Sequence, residues 1–210
     1  EFASGARLAY KPRSLAVEVA YQALLQRLNE TGFEPLFRPL TLLARETHGW
    51  MAWAEPGDCA TVAEVRRFYR RQGAHLALFY TLEATDLHMS NVIAAGEHPA
   101  LIDLETLFHP RAAAPDWSPL DLALGLLPEP ETADEGDPDR LDLSGLTGAG
   151  GQRTPYAVPM WRGRGTDALH LTHERKTIGG GKNRPTLRGE PVDALAYLDA
   201  LDEGFADAYR

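Results

Sequence analysis

The alternation of apolar and polar positions divides the chain into short strands and amphipathic helices. Leu8 and Tyr10 alternate with their neighbours from Arg7 to Lys11 before Pro12 breaks the run, which predicts a strand ending on Lys11. Val17, Ala20, Tyr21, Leu24, Leu25 and Leu28 recur at helical spacing between Ser14, a predicted N-cap, and the stop at Asn29 to Gly32. Leu36 to Arg45 and Trp50 to Ala54 read as extended, bounded by Pro35, Gly49 and Pro56. In the segment that begins at Cys59, Val62, Val65 and Tyr69 mark one face of a long helix that runs on through Leu76, Phe79 and Tyr80. Its other faces carry Arg66, Arg67, Arg70 and Arg71, read as a solvated basic surface. A polar turn from Thr85 to Asn91 leads into a predicted β-hairpin, Val92-Ile93 with Leu101-Ile102, punctuated by Gly96 and Pro99. Helical spacing returns from Pro191 to Tyr209 through Val192, Leu195, Leu198, Leu201 and Phe205.

Between these elements lie segments that cannot supply a core. Glu129 to Asp142 is acidic and proline-rich and predicts a surface loop, extended by Gly148 to Gly151. Gly179-Gly180-Gly181-Lys182 lacks the spacing of a phosphate-binding P-loop and has no clear strand before it, so it too reads as a loop. The sum is an α+β chain without internal repeats.

Composition narrows the class. A chain of 210 residues buries one good-sized core or two small lobes. No apolar run approaches the roughly 20 residues that span a bilayer, and the start Glu1-Phe2-Ala3-Ser4-Gly5 has no apolar signal core, so the expected location is the cytoplasm. Cys59 is the single cysteine, which excludes an internal disulfide and reads as a free thiol. A net charge of −9 argues against wholesale nucleic-acid binding while leaving room for a local cationic site.

Candidate chemistry concentrates in Thr85-Asp86-Leu87-His88-Met89-Ser90-Asn91 and Leu101-Ile102-Asp103-Leu104-Glu105. Phosphoryl transfer from ATP needs a carboxylate to take up the attacking hydroxyl, oxygen ligands for Mg2+ and a cation for the phosphates. Asp86 suits the first role. Asn91 follows five residues on, the spacing of a kinase catalytic loop, and Asp103 ends an apolar strand as a kinase metal ligand does. Lys11, far upstream on the first strand, is the candidate phosphate cation, and Glu18 is a candidate partner for it. His88 either moves a proton or holds the loop by hydrogen bonds. Taken singly, Asp86, Asn91 and Asp103 are also ordinary turn residues; their joint order is what points to a site.

Tyr10-Lys11-Pro12-Arg13-Ser14-Leu15, Phe68-Tyr69-Arg70-Arg71-Gln72-Gly73-Ala74, Thr85-Asp86-Leu87-His88 and Leu101-Ile102-Asp103-Leu104-Glu105-Thr106-Leu107-Phe108 together resemble the type 2 lanthipeptide synthetases (LanM) over nearly the whole chain. The resemblance implies a lipid-kinase-like, two-lobed dehydratase domain that phosphorylates Ser and Thr of a ribosomal precursor peptide and then eliminates phosphate. It implies Asp86 and His88 as catalytic residues, Lys11, Asn91, Asp103 and Glu105 as nucleotide-binding residues, and Asn91, Asp103 and Glu105 as the Mg2+ ligands. Residues 1–57 would belong to the small lobe and 58–210 to the large lobe. The family's glycine-rich strands before the lysine are not in the chain, and a zinc-dependent cyclase is expected downstream, so an internal fragment is the expectation. The family eliminates phosphate with an R-x-x-x-R-P-T motif beyond Gly204, Phe205 and Tyr209. Arg184-Pro185-Thr186 repeats its last letters, but Gly180 replaces the first arginine and the stretch lies upstream, so elimination is not assigned here. Two other readings share these residues: a different phosphotransferase on the same scaffold, and a nucleotide-free peptide-docking module.

Overall fold

In the computed structural model, residues 1–107, 125–128 and 141–210 are described. The acidic stretch Glu129 to Asp142, except for its last two residues, and Phe108 lie outside them. The elements are β1 (Leu8–Lys11), α1 (Ala16–Glu30), β2 (Leu42–Ala44), β3 (Gly49–Ala52), β4 (Asp58–Cys59), α2 (Val62–Leu82), β5 (Val92–Ala95), β6 (His98–Leu101), β7 (Val158–Arg162), β8 (His170–Glu174), β9 (Thr186–Leu187), β10 (Glu190–Pro191), a 3-10 turn (Ala194–Tyr197) and α3 (Leu198–Tyr209). The mixed helix-and-strand class matches the expectation, with the strands in four small sheets: β1-β3-β2, β10-β9-β4, β5-β6 and β7-β8.

The long central helix α2 organises the packing. Thr61 caps it, its hydroxyl accepting the Glu64 N–H at 3.2 Å, while the Glu64 carboxylate accepts the Ala60 N–H at 2.7 Å, so two orphan donors are met before the first turn closes. It ends on Glu83 in the left-handed conformation, which returns the Ala84 N–H to the Phe79 carbonyl. Ala74, Leu78 and Phe79 pack with Tyr21 and Leu25 of α1 and with Leu87, Val92, Leu101 and Leu104 in one cluster. Val65, Phe68 and Tyr69 pack with Ala194, Ala200 and Leu201 in a second. Tyr21 and His75 are buried between α1 and α2, with the Tyr21 oxygen 2.6 Å from Nδ1 of His75.

The arginine-rich side of α2 is not simply solvated. Arg66 pairs with Asp199 and Glu203 at 2.6 and 2.7 Å, and Arg70 with Asp207 at 2.7 Å, all on α3. Arg67 and Arg71 converge on Glu97 in the β5-β6 turn, and Arg71 is only 4% exposed. These guanidiniums hold Glu97 down at about 2. The sequence shows the cations and the acids without showing that helices separated by more than a hundred residues bring them together.

Three further differences have local causes. Only Leu42–Ala44 of the Leu36 to Arg45 stretch forms a strand, because side chains of α1 satisfy the preceding backbone: Asn29 brackets Phe37 with two hydrogen bonds and Gln22 accepts the Leu40 N–H. Leu15 rather than Ser14 occupies the cap position of α1, with the Ser14 hydroxyl accepting the Ala16 N–H at 3.3 Å. The β7-β8 hairpin was not expected at all. Cys59 is a free thiol as anticipated; the structure adds that it is buried, and burial pushes the thiol up to about 11. Among the described residues no helix is long and apolar enough to cross a membrane.

Candidate functional site

Buried apolar residues anchor both candidate loops, alternating at Leu87 and Met89 in the first and recurring every third position at Leu101, Leu104 and Leu107 in the second. Leu87 and Met89 are buried at 1% and 4% exposure, as is Leu104 at 1%, so Asp86, His88, Asp103 and Glu105 are turned outward on anchored backbone. Gly125 and Gly145 press against this loop: a Cβ on either would collide with the Leu87 backbone, and Gly125 also has a positive φ. Asp86 and Asp103 both adopt left-handed backbone, with φ of 63° and 62°. This region costs a non-glycine residue energy and is over-represented at functional sites.

Hydrogen bonds tie the loops to each other. Val92 of β5 faces Leu101 of β6, and one step on Ile102 donates its N–H to the Asn91 carbonyl at 2.9 Å, which sets Asn91 opposite the residue before Asp103. The Asn91 side-chain nitrogen donates to the Asp86 carbonyl at 2.8 Å, and the Thr106 hydroxyl to the Thr85 carbonyl at 2.6 Å. Nε2 of His88 is 3.4 Å from the Asp86 carboxylate, while its Nδ1 accepts the Ser90 N–H. His88 therefore holds the loop, whatever else it does.

Lys11 reaches Asp103 from β1, with Nζ 3.1 Å from Oδ1. The residue that organises this end, however, is Arg13. Its guanidinium contacts Glu18 at 2.5 Å, Asp103 at 2.7 Å and Glu105 at 2.7 Å. Glu18 thus pairs with Arg13, not with Lys11 as first expected. Pro12 carries the chain so that the two cations, one residue apart on either side of it, both face Asp103. Burial pushes the Asp103 carboxyl up, but hydrogen bonds from Arg13 and Lys11 outweigh it and hold it below the ordinary carboxylate range. Burial likewise opposes the charge of Arg13, and its bonds to Glu18 and Asp103 override that and raise its pKa. Sequence reasoning assigned no role to Arg13; its place two residues after Lys11 was the available signal.

The residues fit a hard cation with nucleotide. With its nitrogen committed to Asp86, Asn91 offers its side-chain oxygen, and Asp103 and Glu105 each keep a carboxylate oxygen with no partner among the described residues. Mg2+ prefers oxygen ligands and needs only one or two carboxylates when phosphates and water complete its shell. Among the described residues, no group of three or more His, Cys, Asp or Glu could hold a metal ion by itself. A separate cleft of about 340 Å³ lies at the far end of the β5-β6 hairpin, between Gly57, Gly150, Gly181, Lys182 and Arg184, and includes none of the candidate residues.

A Lactococcus lactis subsp. lactis protein, the lacticin 481/lactococcin biosynthesis protein LcnDR2, is 35% identical over 111 residues. The match covers 49% of this chain and 12% of the length of that protein, and it bears out the resemblance to the lanthipeptide synthetases. The family described as "Domain of unknown function (DUF4135)" matches residues 1–210, the whole of the chain, and the chain belongs to that family.

Proposed function

We propose that this chain is the phosphorylating part of a lanthipeptide-modifying dehydratase, transferring the γ-phosphoryl group of ATP to Ser and Thr hydroxyls of a precursor peptide. The observation that carries the reading is the Lys11–Asp103 contact at 3.1 Å, which joins β1 to the loop after β6, together with the hydrogen bond from Asn91 to Asp86. The two-lobed kinase-like division at about residue 57, the cytoplasmic location and a cyclase elsewhere in the intact protein are parts of the same proposal.

Each residue has a separable task. Lys11 binds the phosphates as a compact cation. Asn91 and Asp103, with Glu105, hold Mg2+ through oxygen. ATP with Mg2+ supplies the electrophilic phosphoryl group and neutralises its charge. Asp86 accepts the proton of the attacking hydroxyl as the new O–P bond forms and the bond to ADP breaks. His88 keeps the Asp86 carboxylate in place. Arg13 positions Asp103 and Glu105 from behind. Most of the acceleration then comes from orientation and fixed charge.

Mass spectrometry of a Ser/Thr peptide incubated with ATP, Mg2+ and the intact enzyme tests this. Asp103→Asn and Lys11→Ala should each abolish both the phosphate adduct and the water loss. Substantial dehydration by either variant would refute the assignment. A stable phosphate with no water loss in the unsubstituted enzyme would instead indicate a different phosphotransferase.

A further inference from the structure

The charge of this chain is strongly segregated. From Leu143 to Gly189 there are eight lysines and arginines against two acids, Asp167 and Glu174, in a protein whose net charge is −9. This segment carries the β7-β8 ribbon, in which Trp161 faces Leu171 and Arg162 faces His170. Nothing in the described fold covers the ribbon: neither strand has a buried residue, and each pairs only with the other. Trp161 is 51% exposed, Leu169 53% and Leu171 46%. An isolated two-stranded ribbon is marginally stable in water, and its outer edges offer unpaired backbone groups. Arg162 is paired with Glu174, but Arg153, Arg164, Lys176, Lys182 and Arg188 have no acidic partner among the described residues.

The base of this segment is bonded to the candidate site. Met89 donates to the Leu143 carbonyl at 2.8 Å and His88 bridges Ser144. At the other end Ala94 donates to the Lys182 carbonyl at 2.6 Å, and Asn183 ties back to Gly145 and Gly148 at 3.0 Å. A chain lying on the ribbon would therefore be held by a unit directly attached to the loop that carries Asp86.

From the open edges, the exposed Trp161–Leu171 pair and the unpaired cations, we infer that the ribbon is a docking surface for an extended acidic peptide, which adds to it as a third strand. This rests on the proposed function in taking that peptide to be part of the substrate. Nucleic acid shares the charge of such a ligand but not its backbone, and cannot complete the strand ladder. Electrostatic complementarity supplies the steering, and side chains seated over Trp161 and Leu171 supply the register.

Fluorescence anisotropy of the chain with a labelled peptide of alternating Glu and Leu ending in Ser, in the absence of nucleotide, tests the inference. The peptide should bind and weaken with added salt. Arg164→Glu combined with Lys176→Glu, both on exposed backbone, should cost about tenfold in affinity with unchanged far-UV circular dichroism. A peptide with Lys in place of Glu, one with alternate prolines, and oligo-dT should all bind at least tenfold more weakly. Equal binding of any of these, or an unchanged affinity in the double variant, would overturn the docking surface. Asp103→Asn should bind the acidic peptide normally. If phosphoryl transfer proves absent while this binding persists, the proposed chemistry falls and the docking surface stands; if transfer persists without binding, the reverse holds.

Discussion

At the scale of single residues, Arg13 is where fold and site meet. One guanidinium serves Glu18, Asp103 and Glu105, and the Glu18 side chain is only 3% exposed. Arg13→Ala would leave that carboxylate buried without its cation, a loss of about 3 kcal/mol, read as a lowered urea midpoint. Arg13→Lys keeps the charge but not the fork, and should recover part of the stability while leaving Asp103 poorly held. His75 gives a second residue-scale expectation. Burial holds its pKa down at about 3, and His98 is held at about 4, also chiefly by burial. Both are depressed in the folded chain, so their contribution is complete above the ordinary histidine range near 6.5 and is lost as pH falls below it. Stability should therefore drop between pH 6.5 and 5 by up to about 1.4 kcal/mol per pH unit for each histidine. Urea titrations at the two pH values measure this, and replacing Tyr21 and His75 together by Phe should remove the His75 share. Arg13 also shows a limit of reading sequence: spacing nominated Lys11, Asp86, Asn91 and Asp103 as candidates, and the contacts Lys11–Asp103 and Asn91–Asp86 join them in pairs, whereas the choice between Lys11 and Arg13 as the partner of Glu18 depends on how Pro12 turns the chain.

At the scale of elements, α2 and α3 approach so closely that a side chain on either of two glycines would occupy the neighbouring backbone. A Cβ on Gly73 would overlap the Leu201 carbonyl, and one on Gly204 the Arg70 carbonyl. Glycine in mid-helix costs about 1 kcal/mol relative to alanine; here the close crossing offsets it. Gly73→Ala or Gly204→Ala should thus destabilise by about 1–3 kcal/mol in chemical denaturation, against the stabilisation that helix propensity alone predicts. The helices themselves were legible from the spacing of their apolar residues, although α2 is buried on every side over its middle turns, from Arg71 to His75. The hairpin β5-β6 was legible because its apolar runs are bounded by turn residues. The ribbon β7-β8 was not: Pro159 sits within it, and exposure on both faces leaves no alternation to detect.

At the scale of the whole molecule, the α+β class followed from the mixture of periods, and the order Lys, Asp, Asn, Asp is what nominated the candidate site. What the linear pattern could not convey is convergence: β1 and α1 bring Lys11 and Arg13 onto Asp103, while the basic segment from Leu143 to Gly189 closes against His88 and Met89 from the other side. Both depend on contacts between distant parts of the chain. The resulting arrangement places a proposed nucleotide site and a proposed peptide surface on the two flanks of one loop. The proposed function requires Lys11, Asn91 and Asp103 to form a site for ATP with Mg2+. Calorimetric titration of the intact enzyme with ATP, in the presence and absence of Mg2+, tests that most directly. Mg2+-dependent binding that Lys11→Ala and Asp103→Asn each abolish is the expected result; no detectable binding, or binding that survives both substitutions, would rule the site out.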